Sequence, residues 1–219
     1  VFKAGDSVSE AKTMTALEQF QARTKTITTF IGHPPGLGWL SASEFWERFA
    51  YYGMQALLVL YLSHFLFKPG TIEQVWGIEP FRHALETIYG PLDYAALASA
   101  LVGFYAATVY LTPLLGGYIA DRLIGRTATV ALGASMMAAG YFLLCLEQTF
   151  LIGIFALLFG VGCFKGNIAA QVGDLYSIDD PRRADGFQIY FLGIQIAVII
   201  APLITGTLGE KVGWTWGFA

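Results

Sequence analysis

The sequence predicts an all-α polytopic membrane protein, and three observations carry that reading. Of its 219 residues, 55% are hydrophobic and only 13% charged, where an ordinary soluble domain has about 25% charged. The stretches 49–67, 94–120, 127–146 and 186–209 contain no Asp, Glu, Lys or Arg, and 148–173 contains only Lys165. Each is close to or beyond the roughly 20 apolar residues that cross a bilayer. The mean hydropathy of +0.56 points the same way.

Residues 1–35 are polar and form an N-terminal tail and lead-in, with Met14, Leu17 and Phe20 scattered among charges as in a short surface helix or a disordered arm. No apolar core followed by a small-residue cleavage site marks a signal peptide. "GHPPGLGW" then interrupts any helix, because prolines and glycines punctuate it. The transmembrane bundle occupies 36–219, with spans at about 39–67, 94–120, 127–146, 149–172 and 186–209 and a further one from 212 onward. The outer connection 68–93 holds "EPFRHALETIY", in which Phe81, Ala84, Leu85 and Ile88 recur at helical spacing with Pro80 suited to a first turn. A short amphipathic helix at the membrane surface is expected there. The chain starts with Val and stops in the apolar "VGWTWGFA", so the expectation is a fragment with five full spans and the start of a sixth.

Orientation follows from the basic residues. With the N-terminus cytoplasmic, the inner segments hold Lys3, Lys12, Arg23, Lys25, Arg122, Arg126, Arg182 and Arg183, and the outer ones only Lys68, Arg82 and Lys211. The expected location is a cytoplasmic (plasma or inner) membrane, multi-pass, with the N-terminus inside.

The first span carries Glu44, Glu47 and Arg48, and the fourth carries Lys165. An ionisable group at mid-membrane costs roughly 2.5–3.5 kcal/mol on insertion scales, so four unpaired ones would cost on the order of 10 kcal/mol. They must face protein or water. At 100° per residue Glu44, Arg48, Tyr51 and Gln55 share one face, flanked by Glu47 and Tyr52, and Glu44 and Arg48 stand four apart. At ~1.5 Å per residue, Arg48, Lys165, Gln195 and Tyr110 all lie about 10–15 Å from the cytoplasmic side. Such a polar layer is where a transporter holds its cargo. Gluing helices together would explain Tyr110 or Gln195 alone. Two carboxylates, an Arg and a Lys in one layer point to a titrating relay, which needs acids that burial biases toward the neutral form.

"EFWERFAYYG" resembles the signature of the proton-dependent oligopeptide transporter family of the major facilitator superfamily, E-x-x-E-R-F-x-Y-Y-G, met by Glu44, Glu47, Arg48, Phe49, Tyr51, Tyr52 and Gly53. "GHPPGL", "GGYIADRLIGR" and "FKGNIAAQVGDLYSIDDPRRADGF" are similar to the family's lead-in, its loop between spans 2 and 3, and its span 4 with the following loop. The resemblance implies the N-terminal six-helix half of a major facilitator fold, partnered by a C-terminal half outside this chain. It implies symport of di- and tripeptides with protons by alternating access. Glu44, Glu47, Arg48 and Lys165 are the implied proton-coupling residues, with Lys165 also meeting the peptide carboxylate. Tyr51, Tyr52, Gln55, Tyr110 and Gln195 fall on the implied peptide pocket, and Asp121, Arg122 and Arg126 on the cytoplasmic gate. Gln55 and Gln195 depart from the Arg and Asn of many members, replacing a charge-assisted contact with a dipole at the first.

No cofactor is implied, protons being the coupling ion, and the expected partners are small peptides, protons and lipid rather than nucleic acid. Cys145 and Cys163 sit in apolar spans as small filler, without metal-ligand spacing. No H-E-x-x-H or supported G-x-S-x-G occurs, and His33, His64 and His83 fall in loops or at span ends, so an enzyme is not expected. Gly116, Gly117, Gly160, Gly162 and Gly166 read as close-packing positions. The competing readings are a family member carrying nitrate or a peptide-like compound, and a non-transporting membrane subunit.

Overall fold

The computed structural model describes residues 29–218, so the expected surface helix near Met14 lies outside the described residues. The described residues form seven α-helices in order: α1 (Pro35–Tyr61), α2 (Ile78–Tyr89), α3 (Tyr94–Ile119), α4 (Arg126–Leu144), α5 (Phe150–Asp174), α6 (Arg183–Lys211) and α7 (Trp214–Phe218). Five of them, α1 and α3 to α6, are long and apolar enough to cross a membrane.

The helix ends follow local chemistry. The expected interruption at "GHPPGLGW" is corrected in detail, because α1 begins inside it at Pro35. Proline at a first helical position gives up an N–H that would have no partner there, and its φ already suits a helix. Asp93 caps α3 by accepting the Ala96 N–H at 2.7 Å, as an aspartate N-cap does. Both α1 and α3 widen into a π-helical turn at their far ends, Leu62–Leu66 and Ala120–Ile124. α2 is bracketed by Gly77 and Gly90, each at φ +80°, a backbone state that glycine adopts without steric cost. Its Ile78 and Leu85 are buried against the bundle.

α5 is the structural centre. In its most apolar stretch 67% of residues are buried, against 17% for α6. It packs between α3 and α4, while α1 packs along α6. The α3–α5 approach leaves no room for a side chain: a Cβ on Gly116 would collide with the Gly162 carbonyl. Gly133 and Gly140 on α4 meet Gly160 and Gly153 on α5 in the same way. Small residues let helix backbones approach where lipid supplies no hydrophobic drive for association. Asn167 on α5 then donates to the Gly116 carbonyl across this contact at 3.2 Å, and Thr205 on α6 donates to the Gly53 carbonyl of α1 at 3.2 Å.

Candidate functional site

α1 carries its charges into the bundle rather than toward its rim. Glu44, Glu47 and Arg48 are 1%, 7% and 9% exposed. One turn of helix brings Arg48 Nε to 2.8 Å from Glu44 Oε1, and the same nitrogen lies 3.1 Å from Glu47 Oε2. Only the Glu44 contact has hydrogen-bond geometry. Glu44 Oε2 and both Glu47 oxygens accept no hydrogen bond from the described residues. A buried carboxylate without donors is expensive, so the cluster costs free energy that the helix packing around it must supply.

Further groups face this trio from other helices. Lys165 of α5 lies within electrostatic reach of Arg48, Glu47 and Glu44, but its Nζ sits 4.8 Å above the Tyr110 ring of α3. A cation over an aromatic face keeps a soft, exchangeable partner. Tyr51 stacks on Tyr105 of α3 and meets Tyr52 edge-on. Tyr190 of α6 faces Glu44.

The structure thus brings together Glu44, Glu47, Arg48, Lys165, Tyr51, Tyr52 and Tyr110. Tyr110 itself is 71% exposed, so the Lys165–Tyr110 pair forms one open wall. Gln55 is half-buried on α1, and Gln195 is exposed on α6. Neither makes a hydrogen bond that joins it to the cluster. Of the expected gate residues, Asp121 and Arg122 are exposed in the π-helical turn that ends α3. Arg126 instead donates to Asp174 at the end of α5, 2.8 Å away.

Sequence reasoning missed Tyr105, Tyr190 and Asp174. The tyrosines lie on mainly apolar spans, where polarity alone does not tell which face they take. Asp174 had a usable signal, since it stands at the end of its span, on the same rim as Arg126. A second rim contact was also missed. His33 Nδ1 and the Tyr176 hydroxyl share a hydrogen bond of 2.9 Å, and Arg182 donates to the Gly32 carbonyl at 3.1 Å. Together they pin the lead-in to the loop between α5 and α6.

The sequence profile of the POT family matches residues 127–219. The di-/tripeptide transporter of Lactococcus lactis subsp. lactis is 39% identical over 208 residues, which covers 91% of this chain and 37% of that protein. The crystal structure of a peptide transporter POT mutant in complex with alafosfalin matches with a TM-score of 0.72 at 34% identity, covering 88% of this chain and 36% of the other. A POT family transporter in complex with 5-aminolevulinic acid matches with a TM-score of 0.70 at 31% identity, covering 88% and 36%. The chain spans little more than a third of the length of these relatives. Its all-helical bundle is of the major facilitator kind that these transporters share.

Proposed function

This chain belongs to the POT family, and from that premise we propose that it is part of a proton-coupled symporter that imports di- and tripeptides by alternating access. The observation that carries the reading is the buried Glu44–Arg48–Glu47 cluster faced by Lys165. Two carboxylates and two cations are formally neutral. Protonating one glutamate leaves a net positive site that attracts a peptide carboxylate to Arg48 and Lys165. When the proton leaves, the carboxylate reclaims a cation and the peptide is loosened. Lys165 suits the exchangeable role because its amine rests on a ring rather than in a fixed ion pair. The nonpolar and aromatic wall of Tyr51, Tyr52 and Tyr110 is the kind of surface on which peptide side chains pack, with Gln55 and Gln195 as its uncharged polar positions. A second helix bundle outside this chain is needed to close the exposed Tyr110 side.

In this reading the N-terminus, the Asp121–Arg122 turn and the Arg126–Asp174 pair lie on the cytoplasmic side of the membrane. The rim residues then act as the gate at that end. Peptide-like small molecules are a second cargo class, supported by the similarity to the transporter that holds 5-aminolevulinic acid.

The test is uptake of labelled dialanine by proteoliposomes holding the full-length protein, with and without an inward proton gradient. Accumulation that a proton ionophore abolishes, and that unlabelled dipeptides but not nitrate or single amino acids compete away, is the expected result. Uptake indifferent to the gradient would overturn the coupling, and competition by nitrate alone would overturn the cargo.

A further inference from the structure

Tyr105 is buried on α3 and takes no part in the open peptide-facing wall. It is 1% exposed, whereas Tyr110 on the same helix is 71% exposed. Helical spacing separates the two. Tyr105 falls on the buried stripe with Leu101, Val109, Thr112 and Gly116, and five residues turn Tyr110 about 140° away from it. The Tyr105 ring stacks on Tyr51, with centroids 6.3 Å apart and planes 27° from parallel. Tyr51 stands one turn after Glu47, so the stack brings Tyr105 beside the stretch of α1 that holds that carboxyl. The two groups lie within electrostatic reach of each other.

Each group lacks what the other offers. The Tyr105 hydroxyl is buried and makes no hydrogen bond with a described residue, and the same holds for both Glu47 oxygens. Neither side chain shows these atoms any surface that water could touch, so only protein can satisfy them. A phenol has one O–H to donate, and an ionised carboxylate only accepts. Burying either without a partner forfeits its desolvation, and the loss is far greater for a charge. The need for the bond therefore arises when Glu47 loses its proton. Arg48 does not fill it, because the nitrogen 3.1 Å from Glu47 Oε2 already donates to Glu44.

We propose that the Tyr105 hydroxyl is the hydrogen-bond donor that Glu47 takes up when its proton leaves, which makes Tyr105 a positioning residue for the coupling step. The Glu47 side chain, with its several staggered states, is the part that moves. The bond supports the carboxylate alongside the cation it reclaims, so that proton release leaves no bare charge in the interior. Tyr105 touches neither the peptide nor the travelling proton, and it stays a neutral phenol throughout. The titratable and charged groups that face Glu47 are Arg48, Glu44 and Tyr51 on α1 and Lys165 on α5. Tyr105, Tyr141 and Tyr190 face it from α3, α4 and α6. Tyr105 in turn is faced by Tyr51 and Glu47 of α1 and by Tyr141 of α4.

The inference rests on the symporter reading, and one arm of its test needs no transport. Tyr105→Phe in the full-length protein keeps the ring and its stack on Tyr51 and loses only the hydroxyl. In liposomes, the infrared carbonyl band of protonated Glu47, identified by its loss in Glu47→Gln, is followed against pH. Proton-driven dialanine uptake is measured over the same range, with peptide affinity from inhibition of counterflow. Removing a donor to the ionised form disfavours that form. The band should therefore persist, and driven uptake should fall off, at a pH higher by roughly one unit or more. Half-inhibitory peptide concentrations should stay as in the unsubstituted protein, and Tyr141→Phe should leave the band in place. A midpoint in Tyr105→Phe that is unmoved or lowered overturns the assignment, as does a shift as large in Tyr141→Phe. A band that moves without the uptake profile, or a parallel loss of peptide affinity, overturns the coupling role. Absence of driven uptake in the unsubstituted protein sinks the symporter reading, while the band shift still decides the hydrogen bond.

Discussion

The bundle holds two sets of ion pairs built from the same residue types and at similar distances. On α1, Arg48 lies 2.8 and 3.1 Å from two carboxylates, in the interior. On α2 and at the opposite rim, Arg82–Glu86, Arg126–Asp174 and Arg182–Asp180 pair at 2.9, 2.8 and 2.9 Å. Two of these three acids accept from more than one donor. Glu86 accepts from Arg82 and from the Leu92 N–H, and Asp180 accepts from both the side chain and the backbone N–H of Arg182. The interior pair of acids shares one nitrogen, and three of its four oxygens accept nothing from the described residues. Pairs of the first kind add little, because water screens them and long side chains lose freedom. An interior set costs desolvation that its own attraction barely offsets. The difference teaches that the rim pairs are screened and well satisfied, whereas the α1 cluster is left incompletely paired in the interior.

Removing the shared cation should have the largest effect. Arg48→Ala leaves two buried carboxylates facing each other without their guanidinium, a loss of about 3–5 kcal/mol where the acids stay ionised. Thermal unfolding of the full-length protein in detergent reads this, and Arg48→Ala/Glu47→Gln should recover part of it. A Tm indistinguishable from the unsubstituted protein would erase the distinction between the two sets.

Next in size are changes that spare folding and alter coupling. Glu47→Gln keeps the shape and removes the titrating group, so proton-driven uptake should vanish while exchange without a gradient survives at least in part. Lys165→Ala should cripple uptake. Lys165→Arg should keep some peptide binding with poor coupling, since a guanidinium does not readily release its proton. Peptide affinity and driven uptake measured side by side sharpen the comparison, and near-normal values for Lys165→Ala would make that lysine a structural residue.

At the rim the effects shrink. Arg126→Ala removes a pair whose side chains are 44% and 62% exposed, and should change stability by less than about 1 kcal/mol. Any larger loss in the same unfolding measurement would show that this pair holds the end of α5.

The smallest effect is a pH dependence confined to α2. The hydrogen bond from Arg82, then that from the Leu92 N–H, holds the Glu86 carboxyl below its ordinary value of 4.5. A carboxyl lowered in the folded state contributes above its unfolded value and loses that contribution as pH falls through the folded one. The protection of α2 amides relative to intrinsic exchange at each pH should therefore be flat above pH 4.5 and fall below it, without change in α5. Protection that falls equally in both helices would break the contrast between rim and interior.

Several features were readable from residue order alone because they depend on local physics. Uncharged runs long enough for a bilayer mark α1 and α3 to α6, and the 3.6-residue period of "EPFRHALETIY" marks α2. The four-residue step from Glu44 to Arg48 fixes their contact within one helix, whatever surrounds it. The signature around "EFWERFAYYG" likewise located the charged layer. Contacts between distant segments were not readable. Arg126 found Asp174 and His33 found Tyr176 because of how α4, α5 and the lead-in pack. Lys165 settled on Tyr110 because Gly116 and Gly162 let α3 and α5 meet backbone to backbone. Sequence by itself determined which helices exist and which of them carry charge, since helix formation and membrane partition act over a few turns. Only the tertiary structure decided that Tyr105 of α3 stands within reach of Glu47, because that neighbourhood is set by the rotation of two helices about their axes, and rotation is fixed by packing rather than by period.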